Sequence, residues 1–94
     1  MPKFTPDKEW DYYDGPLFGT ALDETGAAWV YIVAGSKGRK FLVVPWIEGV
    51  THVRELIKRA DKAFLWDFEG DAVEIAVPEP SDFAGEGLLV GDVA

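Results

Sequence analysis

Ninety-four residues with no cysteine and a formal charge of −8 allow one domain and exclude a disulfide scaffold, thiolate chemistry and a cysteine-based zinc site. An apolar content of 48% and an aromatic content of 14% exclude a wholly disordered chain. No apolar run approaches the ~18 residues of a membrane helix, and Met1–Trp10 lacks the apolar stretch of a signal peptide, so a cytoplasmic location is expected.

In chain order, Pro2, Pro6 and Pro16 predict an irregular N-terminal segment over residues 1–16. Leu17–Leu22 predicts a short strand, and Asp23-Glu24-Thr25-Gly26 a turn with Gly26 free to take a positive φ. Ala28–Ala34 and Lys40–Val44 predict two further strands, joined by the turn Gly35-Ser36-Lys37-Gly38 and ended by Pro45. Trp29, Tyr31 and Val33 alternate with Val30, Ile32 and Ala34, and Phe41 and Val43 with Leu42 and Val44. Both sheet faces are therefore apolar at the centre, and both need a cover.

Thr51 has the character of a helix N-cap. Val53, Leu56, Ile57 and Ala60 fall on one helical face, with Arg54, Glu55, Lys58, Arg59 and Lys62 on the other, for about three turns. Ala63–Phe68 and Ala72–Val77 predict a hairpin around Glu69-Gly70, with Phe68 opposite Asp71, Trp66 opposite Val73 and Phe64 opposite Ile75. That register places Asp67 and Glu74 on one face. A helix continuing through Phe64 and Leu65 is the competing reading, because Phe64 is also in phase. Residues 78–94 predict an extended acidic segment, with Leu88–Val90 as a last edge strand. The fold class is thus α+β, an antiparallel sheet of four to six strands (a three-stranded meander plus a C-terminal hairpin) with one amphipathic helix across it. Leu56, Ile57, Ile32, Val43, Trp66 and Ile75 are the expected core.

Charge is divided unevenly. Residues 1–62 hold nine acids and nine bases, whereas residues 63–94 hold eight acids and no base. Such a block disfavours nucleic acid and anionic membranes and favours a partner with a basic surface. Its hairpin members Asp67, Glu69, Asp71 and Glu74 are the candidate contact residues, together with the aromatic group Trp10, Tyr12 and Trp46, since Trp and Tyr are enriched at interface hot spots. The bland alternatives are a solvated acidic face, and aromatic rings that cap the second sheet face. The acids do not follow the calcium-loop pattern, so no metal or other cofactor is expected. His52 is the sole histidine, with no nucleophile placed beside it in sequence, and Gly35–Lys40 lacks the phosphate-loop spacing.

The run Tyr12-Tyr13-Asp14-Gly15-Pro16-Leu17, followed by a strand, a glycine turn and an aromatic strand, resembles the opening of a group of small bacterial and phage domains with no assigned activity. That resemblance implies a meander, a helix and an acidic hairpin, and transfers no catalytic residue. The expected function is a small acidic protein-interaction module that binds or occludes a protein partner. An acidic mimic of nucleic acid and a carboxylate-dependent metal enzyme are the alternatives, and a homodimer is compatible with two apolar sheet faces.

Overall fold

The computed structural model describes residues 3–12, 16–33, 40–69 and 71–79. Six strands run antiparallel in sequential order: β1 (Thr5–Tyr12), β2 (Pro16–Leu22), β3 (Ala28–Val33), β4 (Phe41–Pro45), β5 (Ala63–Trp66) and β6 (Val73–Ile75). Among the described residues one helix, α1 (Val53–Arg59), lies between β4 and β5. An isolated antiparallel bridge from Lys3 to Asp71 ties the chain ahead of β1 to the chain ahead of β6. The sheet therefore curls far enough for the chain ahead of each edge strand to meet at this bridge, which gives it a concave inner and a convex outer face, while β1 and β6 form no ladder with each other among the described residues.

The α+β class stands, and the alternation of β3 and β4 separates two cores. Val30, Ile32, Leu42, Val44 and Ala63 pack outward against Val53, Leu56 and Ile57 of α1. Tyr31, Phe41, Val43, Phe64 and Trp66 pack inward with Phe4, Ala21 and Ala72. The six expected core residues are thus split between two clusters: Ile32, Leu56, Ile57 and partly buried Ile75 outside, Val43 and Trp66 inside. The helix covers one face; the curl of the sheet covers the other.

The N-terminal segment corrects the prediction most. Thr5–Tyr12 is an eight-residue strand, where the prolines predicted irregular chain. Among the described strands β1 pairs only with β2, so it is an edge, and Pro6 costs it no ladder partner on that open side. Irregularities between Pro6 and Lys8 and again around Asp11 bend it. At the first of them the buried Thr20 hydroxyl accepts the Lys8 N–H (3.2 Å). A Cβ at Gly19 would collide with the Lys8 carbonyl and sit 2.6 Å from the Tyr31 hydroxyl, so the β1–β2–β3 crossing requires glycine there. Ahead of β1, Phe4 packs edge-on against Trp29, Phe64 and Trp66 at centroid distances of 5.2–5.8 Å. Phe4 thus covers part of the inner face; of the rings expected to cap that face, Trp46 is exposed, and the side chains of Trp10 and Tyr12 lie outside the described residues.

The β2–β3 turn is built on one carboxylate. Asp23 Oδ1 accepts the Thr25 and Ala27 N–H groups and the Thr25 hydroxyl, and Oδ2 accepts the Trp29 indole N–H at 3.0 Å. Gly26 takes φ +86° as the turn signal predicts. The helix is shorter than expected, seven residues or about 10 Å. His52, rather than Thr51, is its N-cap and makes no side-chain cap; its carbonyl accepts the first helical bonds, and the Thr51 hydroxyl lies 3.3 Å from the imidazole Nδ1. Glu55 reaches Lys58 and Arg59 at 3.9 and 3.7 Å, exposed pairs worth about 0–1 kcal/mol. Phe64 and Leu65 belong to β5, which removes the reading that extended the helix through them. The turn over residues 35–38, Ala34 and the segment over residues 80–94, including the Leu88–Val90 strand, lie outside the described residues.

Phe4→Ala should destabilise the fold by about 3–5 kcal/mol, because it removes a buried ring with three aromatic neighbours. Chemical denaturation measures this directly; a loss below about 1 kcal/mol would mean that Phe4 is not part of the inner core.

Candidate functional site

The β5–β6 hairpin differs from the prediction by one residue of register. Leu65 pairs with Val73, Phe64 with Glu74 and Ala63 with Ile75. Because side chains alternate, this slip transfers every β6 residue to the other face. Ile75 joins the helix-side cluster, Ala72 lies with Trp66 inside, and Glu74 shares the concave side with Phe64. The predicted pairing of Asp67 with Glu74 on one hairpin face therefore does not occur: Glu74 lies opposite Phe64, on the face away from Leu65 and Val73.

The cause is the loop. In place of a two-residue turn at Glu69-Gly70, the strand ends at Trp66, and Asp67 Oδ1 accepts the Glu69 N–H at 3.0 Å. Phe68 between them adopts φ +72°, a left-handed conformation that costs a non-glycine residue roughly 1–2 kcal/mol. That backbone turns the Phe68 ring back onto the inner core, stacked on Trp66 (4.7 Å, 29°) and edge-on to Tyr31 (5.3 Å). Aromatic contact offsets the strained backbone and sets the register. Gly70 lies outside the described residues.

The candidate acids are nonetheless gathered on this hairpin. Asp67, Glu69, Asp71 and Glu74 are all exposed, and none has an ion-pair partner among the described residues. Asp71 is held at the edge seam by its bridge to Lys3, whose N–H donates to the Glu24 carboxylate at 2.8 Å. Glu24, from the β2–β3 turn, thereby joins the acidic side of the molecule, a neighbour no sequence spacing indicates. The middle of this hairpin is bare on the helix side: Val73 is 55% exposed, paired with half-buried Leu65. The basic residues Arg54, Lys58, Arg59 and Lys62 lie on α1 and just after it, all exposed.

The aromatic candidates are not brought together with the acids. Trp46 is 45% exposed and follows β4, its N–H donating to the Ala28 carbonyl at 3.2 Å, while the hairpin loop lies beyond the opposite end of β4, where Phe41 pairs with Trp66. Trp10 and Tyr12 are β1 residues whose side chains lie outside the described set. Among the described residues no three His, Cys, Asp or Glu side chains are placed to hold a metal ion, and no helix is long and apolar enough to cross a membrane.

The inner core contains what the charge pattern does not reveal. A transverse row runs Glu9, Gly19, Tyr31, Val43, Phe64, Glu74 across all six strands. Tyr31 and Trp66 are fully enclosed, and neither the Tyr31 hydroxyl nor the Trp66 indole N–H has a hydrogen-bond partner among the described residues. Burial, with the Glu9 carboxylate adding to it, pushes the Tyr31 phenol up to about 12. The sequence signal was the aromatic alternation Phe64, Trp66, Phe68 and Trp29, Tyr31; nothing in the spacing pointed to Phe4.

Comparison with protein-family models, with curated proteins and with solved structures finds no match for the chain.

Two groups give the stability a pH profile with two limbs. The Thr25 hydroxyl and the Trp29 indole, with two backbone N–H groups, hold the Asp23 carboxyl down to about 2 from 3.8, so its contribution is complete above pH 3.8 and disappears as the pH falls toward 2. Tyr31 is raised from 10.0 to about 12, so its contribution is complete below pH 10 and disappears as the pH rises toward 12. Melting temperature against pH should fall at both ends, with Asp23→Asn flattening the acid limb and Tyr31→Phe the alkaline one. An unchanged limb in either variant would remove that residue as its cause.

Proposed function

We propose that this chain is a protein-binding module whose β5–β6 hairpin docks on a basic surface of a protein partner. The observation that carries the reading is the exposed Val73, paired with half-buried Leu65 on the helix side of a hairpin whose exposed carboxylates are Asp67, Glu69, Asp71 and, on the opposite face, Glu74. An apolar centre with a charged rim is the ordinary anatomy of a protein interface. The acids steer the approach, and Val73 with Leu65 supplies area that leaves water on docking. A nucleic-acid mimic would rest on charge alone, because it replaces phosphates; the bare apolar strip favours a protein partner held by both forces.

The test isolates binding proteins on the immobilised chain from an extract of the source cell, then compares two double variants of equal net charge. Glu69→Lys with Glu74→Lys should lower the association rate about tenfold or more, whereas Glu48→Lys with Asp61→Lys should leave it within about twofold. Val73→Ser should act on dissociation instead. Equal weakening by both charge pairs would reduce the effect to net charge and overturn the hairpin site. Complete release by moderate salt, with Val73→Ser silent, would favour the mimic.

A further inference from the structure

The two edges of the sheet differ in a way that the hairpin reading does not use. An open edge presents unpaired backbone N–H and C=O groups, and proteins blunt such edges with proline, bulges and lysine. β1 has all three: Pro6 lacks an N–H, Lys8 is exposed, and the ladder is irregular between Pro6 and Lys8 and again around Asp11. The ladder of β6 is short, Val73–Ile75, but it has no proline, no bulge and no base. Among the described residues β6 pairs only with β5, and the Lys3–Asp71 bridge lies ahead of it. Alternate residues of an antiparallel ladder turn both backbone groups away from the neighbour, so β6 offers such groups on its outer side. Val73 and, just past the strand, Val77 are 55% and 37% exposed.

The side chains say what this edge accepts. Glu74 is exposed on one face, and Val73 with Leu65 lies on the other, the helix side. The chain's own exposed bases also belong to the helix side, where Lys62 directly precedes Ala63, the partner of Ile75. An added strand therefore meets an acid on one face and apolar side chains on the other. A second copy pairing edge to edge would set acid against acid, which destabilises a ladder. Residues 80–94 carry Asp82, Glu86 and Asp92 and no base, the same mismatch.

We propose that β6 is the docking edge for an extended segment of a protein partner, which adds to the sheet as a further strand with basic side chains on the Glu74 face and apolar side chains beside Val73. The inference rests on the hairpin reading above and gives its mode of binding. Main-chain hydrogen bonds supply affinity, and the alternation of basic and apolar residues supplies specificity.

Two capped peptides of equal composition test this, one alternating lysine and valine, the other with all its lysines ahead of all its valines. Titrated into the full chain and followed by the backbone amide resonances of Val73–Ile75, the alternating peptide should bind at least about tenfold more tightly. The β6 amides that face the edge should exchange freely in the chain alone and at least about tenfold more slowly in the complex. N-methylation of all the lysines, or of all the valines, removes the N–H groups along one edge of the alternating peptide and keeps its side chains. One of these two forms should lose about tenfold or more in affinity, and the other should stay within about twofold. Strand addition is overturned if the alternating peptide does not bind, if the two peptides bind equally, or if both N-methylated forms lose equally. If both peptides bind equally and Glu74→Lys weakens both, strand addition fails while the acidic hairpin remains the docking site. Edge amides already protected in the chain alone, at every concentration, would give the edge to the chain's own residues. Protection that grows with chain concentration would give it to a second copy. Either result overturns the proposal.

Discussion

The structure depends on the aromatic packing that closes the sheet on itself. A small antiparallel sheet that is apolar on both faces needs two covers, and this chain has only one described helix, two turns long, to offer. The second cover is the sheet's own curvature, fixed by Phe4 where its ring meets Trp29, Phe64 and Trp66. Edge-to-face aromatic contacts at these distances contribute roughly 0.5–1.5 kcal/mol each beyond the area they bury. Without them the inner face of β3 and β4 would lie open to water. The Lys3–Asp71 bridge follows from that closure, and so does the approach of Glu24 to the acidic hairpin.

Closure also explains the local exceptions. Gly19 is needed because β1 and the Tyr31 hydroxyl converge on its missing side chain. Phe68 tolerates a left-handed backbone because its ring joins the same core. The one-residue register of the hairpin comes from that loop, and it decides which side chains of β6 face the helix and which face the interior. A single aromatic ring at the loop tip thus fixes the address of Glu74, Val73 and Ile75.

Much of the fold was legible because local chemistry and tertiary structure agree in the middle of the chain. The β3 and β4 alternation, the Gly26 turn and the apolar face of α1 each follow from period and propensity, and each is found. The failures lie where distant contacts override local preference. Pro6 argued against a strand, yet an edge position with a bent ladder accepts it. Glu69-Gly70 argued for a two-residue turn, yet the packing of Phe68 prevails over turn chemistry. Thr51 looked like a cap, yet the helix begins one residue later. Of the candidate site, the exposure of Asp67, Glu69, Asp71 and Glu74 was legible; Val73 between them was not, because its face depends on a register that only the loop determines.

The most direct test of the closed sheet is an NMR measurement of through-space contacts between aromatic rings in the full chain. Cross-peaks are expected from the Phe4 ring protons to those of Trp29, Phe64 and Trp66, whose ring centroids all lie within 6 Å of it. A contact between the Lys3 and Asp71 backbones is expected as well, as an antiparallel bridge requires. If Phe4 shows contacts only to its sequence neighbours while β2 to β5 remain paired, the sheet is open, and the inner core as described here is wrong.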